Sequence, residues 1–408
     1  MSPSKNKPQP SGLSNSIDHF EHVVFLGTFN ADPFRAQIEE WLPALDLTNV
    51  ALFVADNHST DNTPHWLSDL VERLKCFSVV SINERNFGGY GNLATNLHKF
   101  KSAKWITTLH QDDQYSPEHI QNHRKVINGS APNLGMVCSE AISISPEGQR
   151  MGYPRAHWLL ENQSDPVTVF LAHLRNHAYP FSGATFSKDV LINFPIPWHS
   201  TAFPDTEIVM KMAVDYRTAF ASGVTVKYLE NPNSESHSLA PQHRDFGAFQ
   251  ALFRVFAHPN YQKLCGLVPS IDIPNYLKSL DEGISQRFQD ADYARLLKQA
   301  AFEITAQHVG TGPEMAGRLA EGYIRVGDVR ALEILSALGA HIPTQVQPEK
   351  EKTPVSSSVL ETPKDFKNLA RLSAYLPRGL RRILFKALMK TKAGRSRLAS
   401  WDFDWRDS

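Results

Sequence analysis

The sequence predicts an α/β fold, a mostly parallel sheet flanked by helices and followed by a helical region. Three observations carry this. Short apolar runs alternate with helix-like stretches from His22 to about Asp113. Each of those runs ends in polar or acidic residues. From Pro241 to Ile342 the apolar residues recur at helical spacing instead.

The first run is HVVFLGTFN, from His22; VALFVADN (50–57), FSVVSINERN (77–86) and WITTLHQDD (105–113) repeat its form. Between them lie PFRAQIEEWLPAL, TPHWLSDLVERL and NLATNLHKFKSA. Strands alternating with helices imply parallel strands covered on both faces. Their polar ends fall where loops of an open α/β sheet converge on a ligand. Beyond residue 134, LGMVCSEAISIS, PFSGATFS and RTAFASGVTVKYLE read as strands, and FPDTEIVMKMAVD as a loop entering a helix. DFGAFQALFRVFAH, NYLKSLDEGISQRF, DYARLLKQAAFEITAQHV, PEMAGRLAEGYIRV and DVRALEILSALGA read as helices able to pair antiparallel. The expected organisation is a disordered tail (1–20), an α/β domain (21–240), a helical region (241–342), a Pro/Ser/charge-rich linker (343–363) and a basic tail (364–408).

A chain of 408 residues exceeds what one core holds, about 250–300 residues. With 42 basic and 42 acidic residues, it has no net charge to drive nucleic-acid binding. Cys76, Cys138 and Cys265 are odd in number and far apart, which argues against a disulfide framework or a cysteine zinc site. MSPSKNKPQPSGLSNS lacks the apolar core of a signal peptide. No uncharged apolar run reaches the ~18–20 residues of a spanning helix. A soluble or surface-bound cytoplasmic protein is expected.

Four segments carry chemistry. In VADNHSTDNT, Asp56 follows an apolar strand, so its carboxylate stands at the sheet edge, able to accept from a base N–H or a ribose hydroxyl. Helix capping alone accounts for Ser59 to Thr63 but less easily for Asp56. In NERNFGGYGNLATNL, Gly88, Gly89 and Gly91 allow a tight turn before a helix whose free N–H groups suit phosphate or hydroxyl oxygens. A plain turn packed on the sheet is the other reading. In LHQDDQYSP, the adjacent Asp112 and Asp113 repel at a strand end, and a divalent Mg²⁺ or Mn²⁺ ion would offset that cost. A solvated turn is the alternative. In FPDTEIVMKMA, Asp205 and Glu207 stand at a helix start, favoured by the dipole and also placed as a base would be.

Together and in this order, the segments resemble the family-2 glycosyltransferases, which have the nucleotide-sugar-binding GT-A fold. The resemblance covers residues 21–240. VVFLGTFN matches the opening strand and loop. DNHSTDNT matches the family's Asp-Asn-x-Ser-Thr-Asp-x-Thr residue for residue. NFGGYG resembles the rhamnosyl- and galactofuranosyltransferase-like subset. His110-Gln111-Asp112-Asp113 stands at the metal motif, with histidine where the first carboxylate is usual.

The resemblance implies that Thr28, Asn30, Asp56, Asn57, Asp61, Asn86, Gly88, Gly89 and Gln111 hold a nucleotide-sugar. It implies Asp112 as metal ligand, with Asp113 second, and His237, or else His243, as a downstream histidine ligand. It implies a catalytic pair, Asp205 as general base with Glu207, although Pro204 replaces the usual acidic neighbour. The reaction implied is a single inverting displacement from a UDP- or dTDP-sugar onto a hydroxyl of a glycan or lipid-linked saccharide, in cell-surface polysaccharide synthesis. A nucleotidyltransferase would show a basic, glycine-rich loop after its first strand, which GTFNADPF is not. The His110 and Pro204 departures also suit an inactive transferase-like subunit.

Residues 364–397 hold eleven Lys or Arg against one acidic residue, Asp365. Leu380, Ile383, Leu384, Ala387 and Leu388 are at helical spacing, with Arg381, Arg382, Lys386 and Lys390 largely elsewhere on the wheel. Such a helix suits an anionic membrane surface or docks on the protein's own body.

Overall fold

Ala51–Asp56 (β2) is buried at every position, as its unbroken apolar run requires of a central parallel strand. It pairs in parallel with His22–Thr28 (β1), Val23 opposite Ala51 and Thr28 opposite Asp56. On its other side lies Phe77–Ile82 (β3), half-exposed at the sheet edge. β1 pairs in turn with Trp105–His110 (β4), Gly27 opposite His110. This register brings the ends of β1, β2 and β4 level, so Thr28, Asp56 and His110 emerge at one edge of the sheet. The fold is α/β.

This computed structural model describes residues 17–130, 132–155, 165–175, 181–195, 203–230, 241–269 and 272–309. His237, the helix-like stretches 313–326 and 328–340, the linker 343–363 and the basic tail lie outside the described residues. The chain divides into two compact units, one of 1–164, 178–208 and 215–238, the other of 165–177, 209–214 and 239–408.

In the first unit, Arg35–Trp41 (α1) and Thr63–Glu72 (α2) cover one face of the sheet. Ile38, Trp41, Trp66, Leu67 and Leu70 are buried with Val24, Leu26, Leu52 and Val54. On the opposite face Phe25, Phe53 and Phe100 pack ring to ring, the Phe53–Phe100 centroids 4.9 Å apart. Side-chain alternation sends Val24 and Leu26 one way and Phe25 the other. Each such buried side chain contributes ~1.5–3 kcal/mol relative to exposure.

Beyond β4 the sheet continues as Thr185–Ser187 (β8), Leu134–Ile144 (β6), Arg217–Leu229 (β9) and Gln114–Tyr115 (β5), with Arg150–Arg155 (β7) added on β6. β8 is antiparallel to both β4 and β6, whereas β6 and β9 run parallel. Ser139 faces Ala221 but Glu140 faces Val224, so Ser222 and Gly223 bulge out of β9. A bulge of this kind breaks the period-two pattern, which is why the strand signals past residue 134 are irregular.

The unit also contains Gly89–Asn96 (α3), Lys188–Asn193 (α6) and His119–Asn128 (α4), the last unread in the sequence because its inward face is polar. His119 and His123 on α4 are fully buried. His123 Nδ1 is hydrogen-bonded to the Thr185 hydroxyl at 2.8 Å and its Nε2 to the Ser139 hydroxyl at 2.8 Å. Thr185 meets Thr107 at 2.6 Å, and Thr107 meets His22 Nε2 at 2.7 Å. His119 Nε2–H donates to the Gly183 carbonyl at 2.9 Å, and Nδ1 is 2.7 Å from the Thr225 hydroxyl. Gly183 has φ +73°, and a Cβ there would sit 2.6 Å from His119 Nε2, so only glycine fits. The network ties β1, β4, β8, β6 and β9 to α4 through satisfied polar contacts.

Pro204–Met212 (α7) follows, with the unit boundary inside it, after Ile208. The second unit is helical: Pro166–Leu174 (α5), Pro241–Phe256 (α8), Pro259–Leu267 (α9), Ile273–Arg287 (α10) and Ala291–Val309 (α11). Tyr261, buried among Phe170 and Phe256, meets the Tyr276 hydroxyl at 3.0 Å. Asp245 accepts from the N–H groups of Gln289 and Asp290, both at 2.9 Å, fixing the entry to α11. Arg175 pairs with Glu282 at 3.0 Å. No helix among the described residues is long and apolar enough to cross a membrane.

Candidate active site

The loops after β1 and β2 are knitted together. Thr28 donates to Asp56 Oδ1 at 3.3 Å, and the Asn57 N–H donates to the Thr28 carbonyl at 2.7 Å. Asn30, at φ 47°, donates its N–H to Ser59 Oγ at 2.8 Å and accepts from the Thr60 N–H at 2.8 Å. Ala31 and Asp32 N–H groups donate to Thr63 Oγ1 (2.7 Å) and Asp61 Oδ2 (3.2 Å). The polar run after β2 therefore serves mainly to clasp the β1 loop; only Asp61 acts at the helix start, accepting from the Thr63 N–H at 3.0 Å. Burial raises the Asp61 pKa, but the bonds from Thr63 and Asp32 outweigh it and hold the carboxyl below its ordinary value. Asp56 is fully buried and accepts from Thr28, from the Ser59 hydroxyl (2.5 Å) and from the Ser59 N–H (2.9 Å). Of about four acceptor directions on a carboxylate, one is left for a ligand.

The glycine turn hangs on a ladder of buried asparagines. The Asn57 amide donates to Asn86 Oδ1 (2.7 Å) and the Gly88 carbonyl (3.1 Å), and its oxygen accepts from Asn83 Nδ2 (3.0 Å) and the Phe87 N–H (3.0 Å). That saturates the side chain, so Asn57 holds the turn. Asn83 also donates to Asn92 Oδ1 (2.8 Å), and Asn92 donates to the Ala55 carbonyl (2.8 Å). Asn86 Oδ1 accepts from the Gly88 N–H at 2.8 Å, where φ is +76°. A Cβ at Gly89 would meet nothing within 4 Å, so this edge of the turn is open.

At the end of β4, His110, Asp112 and Asp113 place one ligand atom each within 4.8 Å of one another. Asp113 is 1% exposed. Its Oδ1 accepts from the Leu229 N–H at 2.9 Å, while Oδ2 has no hydrogen-bond partner among the described residues. Burial, and next the charge of Asp112, push the Asp113 carboxyl up to about 7, against the pull of His110, the Ser182 hydroxyl and the Leu229 N–H. A buried carboxylate oxygen without a donor is costly. A divalent cation removes that cost, so these residues fit one.

Tyr115 braces the cluster from below. Its hydroxyl accepts from the His110 N–H at 2.8 Å and contacts Ser182 Oγ at 2.7 Å. From α1, Gln37 Nε2 donates to the carbonyls of Asp112 (3.0 Å) and Asp113 (2.9 Å). Gln111 accepts from the Phe29 N–H (2.7 Å) and donates to the Phe29 carbonyl (3.0 Å), binding the β4 loop to the β1 loop. Tyr115, Ser182 and Gln37 were not singled out in the sequence: their partners are distant in the chain, and no local pattern marks them.

Asp205 and Glu207 differ in setting. Asp205, half-buried in the first turn of α7, accepts from the Thr206 N–H at 2.8 Å. Glu207 is fully buried. Burial, and then the Asp205 charge, raise the phenol pKa of Tyr90. His243 lies in α8.

A sheet whose strand ends converge on carboxylates, a glycine turn and a cation-competent group defines an α/β ligand-binding protein. Residues 28–193 match the family model described as glycosyl transferase family 2. Among curated proteins no sequence matches the chain. Similar solved structures include TarS 1-349 of S. aureus, at 14% identity over 78% of this chain and 90% of that one, with a TM-score of 0.46. The complex of TarS 1-349 with UDP-GlcNAc shows 15% identity over 76% and 92%, with a TM-score of 0.48. The mannosyltransferase PcManGT of Pyrobaculum calidifontis, in complex with GDP-Man and Mn²⁺, shows 16% identity over 82% and 88%, with a TM-score of 0.45.

Proposed function

We propose that the chain is an inverting glycosyltransferase that moves a sugar from a UDP- or dTDP-sugar onto a hydroxyl of a glycan or lipid-linked saccharide, in cell-surface polysaccharide synthesis. The carrying observation is the His110–Asp112–Asp113 group, with its orphaned buried oxygen, at the strand ends beside Thr28 and Asp56. The NFGGYG turn supports a place with the rhamnosyl- and galactofuranosyltransferase-like members.

Asp112 and Asp113 would hold a divalent ion, Mg²⁺ or Mn²⁺, with His237 as a further ligand. When bound, it supplies positive charge for a departing diphosphate. The remaining work falls to the chain's own groups. Asp56, Asp61, Thr28 and Asn30 shape the nucleotide end. Asn57, Asn86, Gly88 and Gly89 present the turn, and Gln111 locks the loops around it. Asp205 takes the acceptor proton, and the buried Glu207 stands in the same helix turn.

Calorimetric titration with UDP and with dTDP, each with Mn²⁺ and with EDTA, tests this reading. Metal-dependent binding of one nucleotide, weakened in Asp112→Ala, is expected. Binding of neither would leave an inactive transferase-like subunit as the better account.

The basic segment 364–397 supports peripheral attachment to an anionic membrane face, where a lipid-linked acceptor resides. Full-length protein should float with vesicles containing anionic lipid and lose that on deletion of 364–408. Equal soluble fractions would sink the attachment.

A further inference from the structure

His110 stands where a carboxylate is expected, and the structure gives it a specific neighbour. Its Nδ1 lies 3.7 Å from Asp113 Oδ2, the buried oxygen without a hydrogen-bond partner among the described residues. That separation is too long for a hydrogen bond. It suits two ligand atoms on a shared ion, each ~2.1 Å from it. The backbone of His110 is held from below by Tyr115, while its side chain remains 44% exposed on the open side. The ring is therefore anchored at its root and accessible to an ion arriving from solvent. Asp112 completes the group on the same loop, whose carbonyls Gln37 fixes.

Imidazole and carboxylate differ as ligands. Carboxylate oxygen suits Mg²⁺, Ca²⁺ and Mn²⁺; imidazole nitrogen is a poor ligand for Mg²⁺ but is accepted by the divalent transition ions, with affinity rising from Mn²⁺ to Co²⁺ and beyond. Exchanging one carboxylate for imidazole also removes a negative charge from the site, which lowers its pull on a hard, strongly hydrated ion most.

We infer that His110 is a metal ligand through Nδ1, and that it biases this site toward Mn²⁺ or Co²⁺ and against Mg²⁺. The inference rests on the metal-binding reading above and goes beyond it in assigning the ion's selectivity to one residue.

Full-length protein titrated with MnCl₂, CoCl₂ and MgCl₂ alone, followed by calorimetry, tests it, with pulsed electron paramagnetic resonance on the Mn²⁺-loaded sample. The wild type should prefer Mn²⁺ and Co²⁺ to Mg²⁺ and show ¹⁴N coupling from a directly bound ring. His110→Asp should lose that coupling and lower the Mn²⁺/Mg²⁺ affinity ratio by at least ~10-fold, the scale on which changes around a metal site act. His110→Gln, close in size, should lose the coupling too and guards against a folding defect in the aspartate variant. Mn²⁺ binding without ¹⁴N coupling, or with an unchanged ratio in His110→Asp, overturns the inference and leaves a carboxylate site standing. Failure of the wild type to bind any of the three ions overturns both.

Discussion

Asp205→Asn should lower turnover by ~10²–10⁴-fold, the usual contribution of a positioned base, while leaving nucleotide binding nearly unchanged. Asp205 is half-buried at the start of α7, and its charge acts on Tyr90 of the glycine turn. Its Oδ1 accepts from the Thr206 N–H, and an asparagine oxygen can accept the same bond. The substitution thus removes the proton acceptor and keeps the local fold. Glu207 is buried completely, and Glu207→Gln should act on stability as well as turnover. Single-turnover kinetics beside calorimetry for the nucleotide separates the two effects. Near-normal turnover in Asp205→Asn would exclude it as the base.

Stability should fall as the pH drops from 7.5 to 5. Burial lowers the pKa of His22 to about 3 and of His119 to about 4; Arg124 and then His119 add to the effect at His22. His123 is lowered well below its ordinary value by burial, with smaller contributions from His119 and His22. In the unfolded chain each takes up a proton near pH 6.5, which the folded state resists. Their stabilisation is whole above that pH and is lost below it, down toward the folded values. At pH 5 His22 and His119 together cost ~4 kcal/mol relative to pH 7.5, and His123 adds in the same direction. Asp113 works the other way. Its folded pKa of about 7 exceeds the unfolded one, so acid relieves ~2.5 kcal/mol of destabilisation over the same window. The balance is a net loss, large against a typical stability of ~5–15 kcal/mol. Urea midpoints at pH 7.5, 6 and 5 should decline in that order; a flat or rising series would contradict the buried neutral network.

Some of the site is legible in the chain because its cause is local. An apolar run followed by acidic residues marks a strand end, so Asp56, Asp112 and Asp113 were visible from the sequence. DNHSTDNT and NFGGYG are contiguous, and contiguous motifs survive without coordinates. The helix–strand alternation of residues 22–113 likewise follows from nearest-neighbour periodicity.

Tertiary structure decided which of these groups remain available to a ligand. Gln111 stands inside the metal motif yet spends its amide on Phe29, a partner brought near by the pairing of β1 with β4. Asn57, inside the most specific motif, is saturated by the glycine turn. Asp112 and Asp113 are adjacent and alike in sequence, but only Asp113 is driven into the interior, where Leu229 of β9 meets it. The inward histidines of α4 are settled by partners 16 to 106 residues away. The sequence by itself determined the strands, the turns and where chemistry gathers, because these follow from short-range pattern. Only the tertiary structure decided which side chain is spent and which is left over, because a hydrogen-bonding group is satisfied by whatever the fold brings beside it.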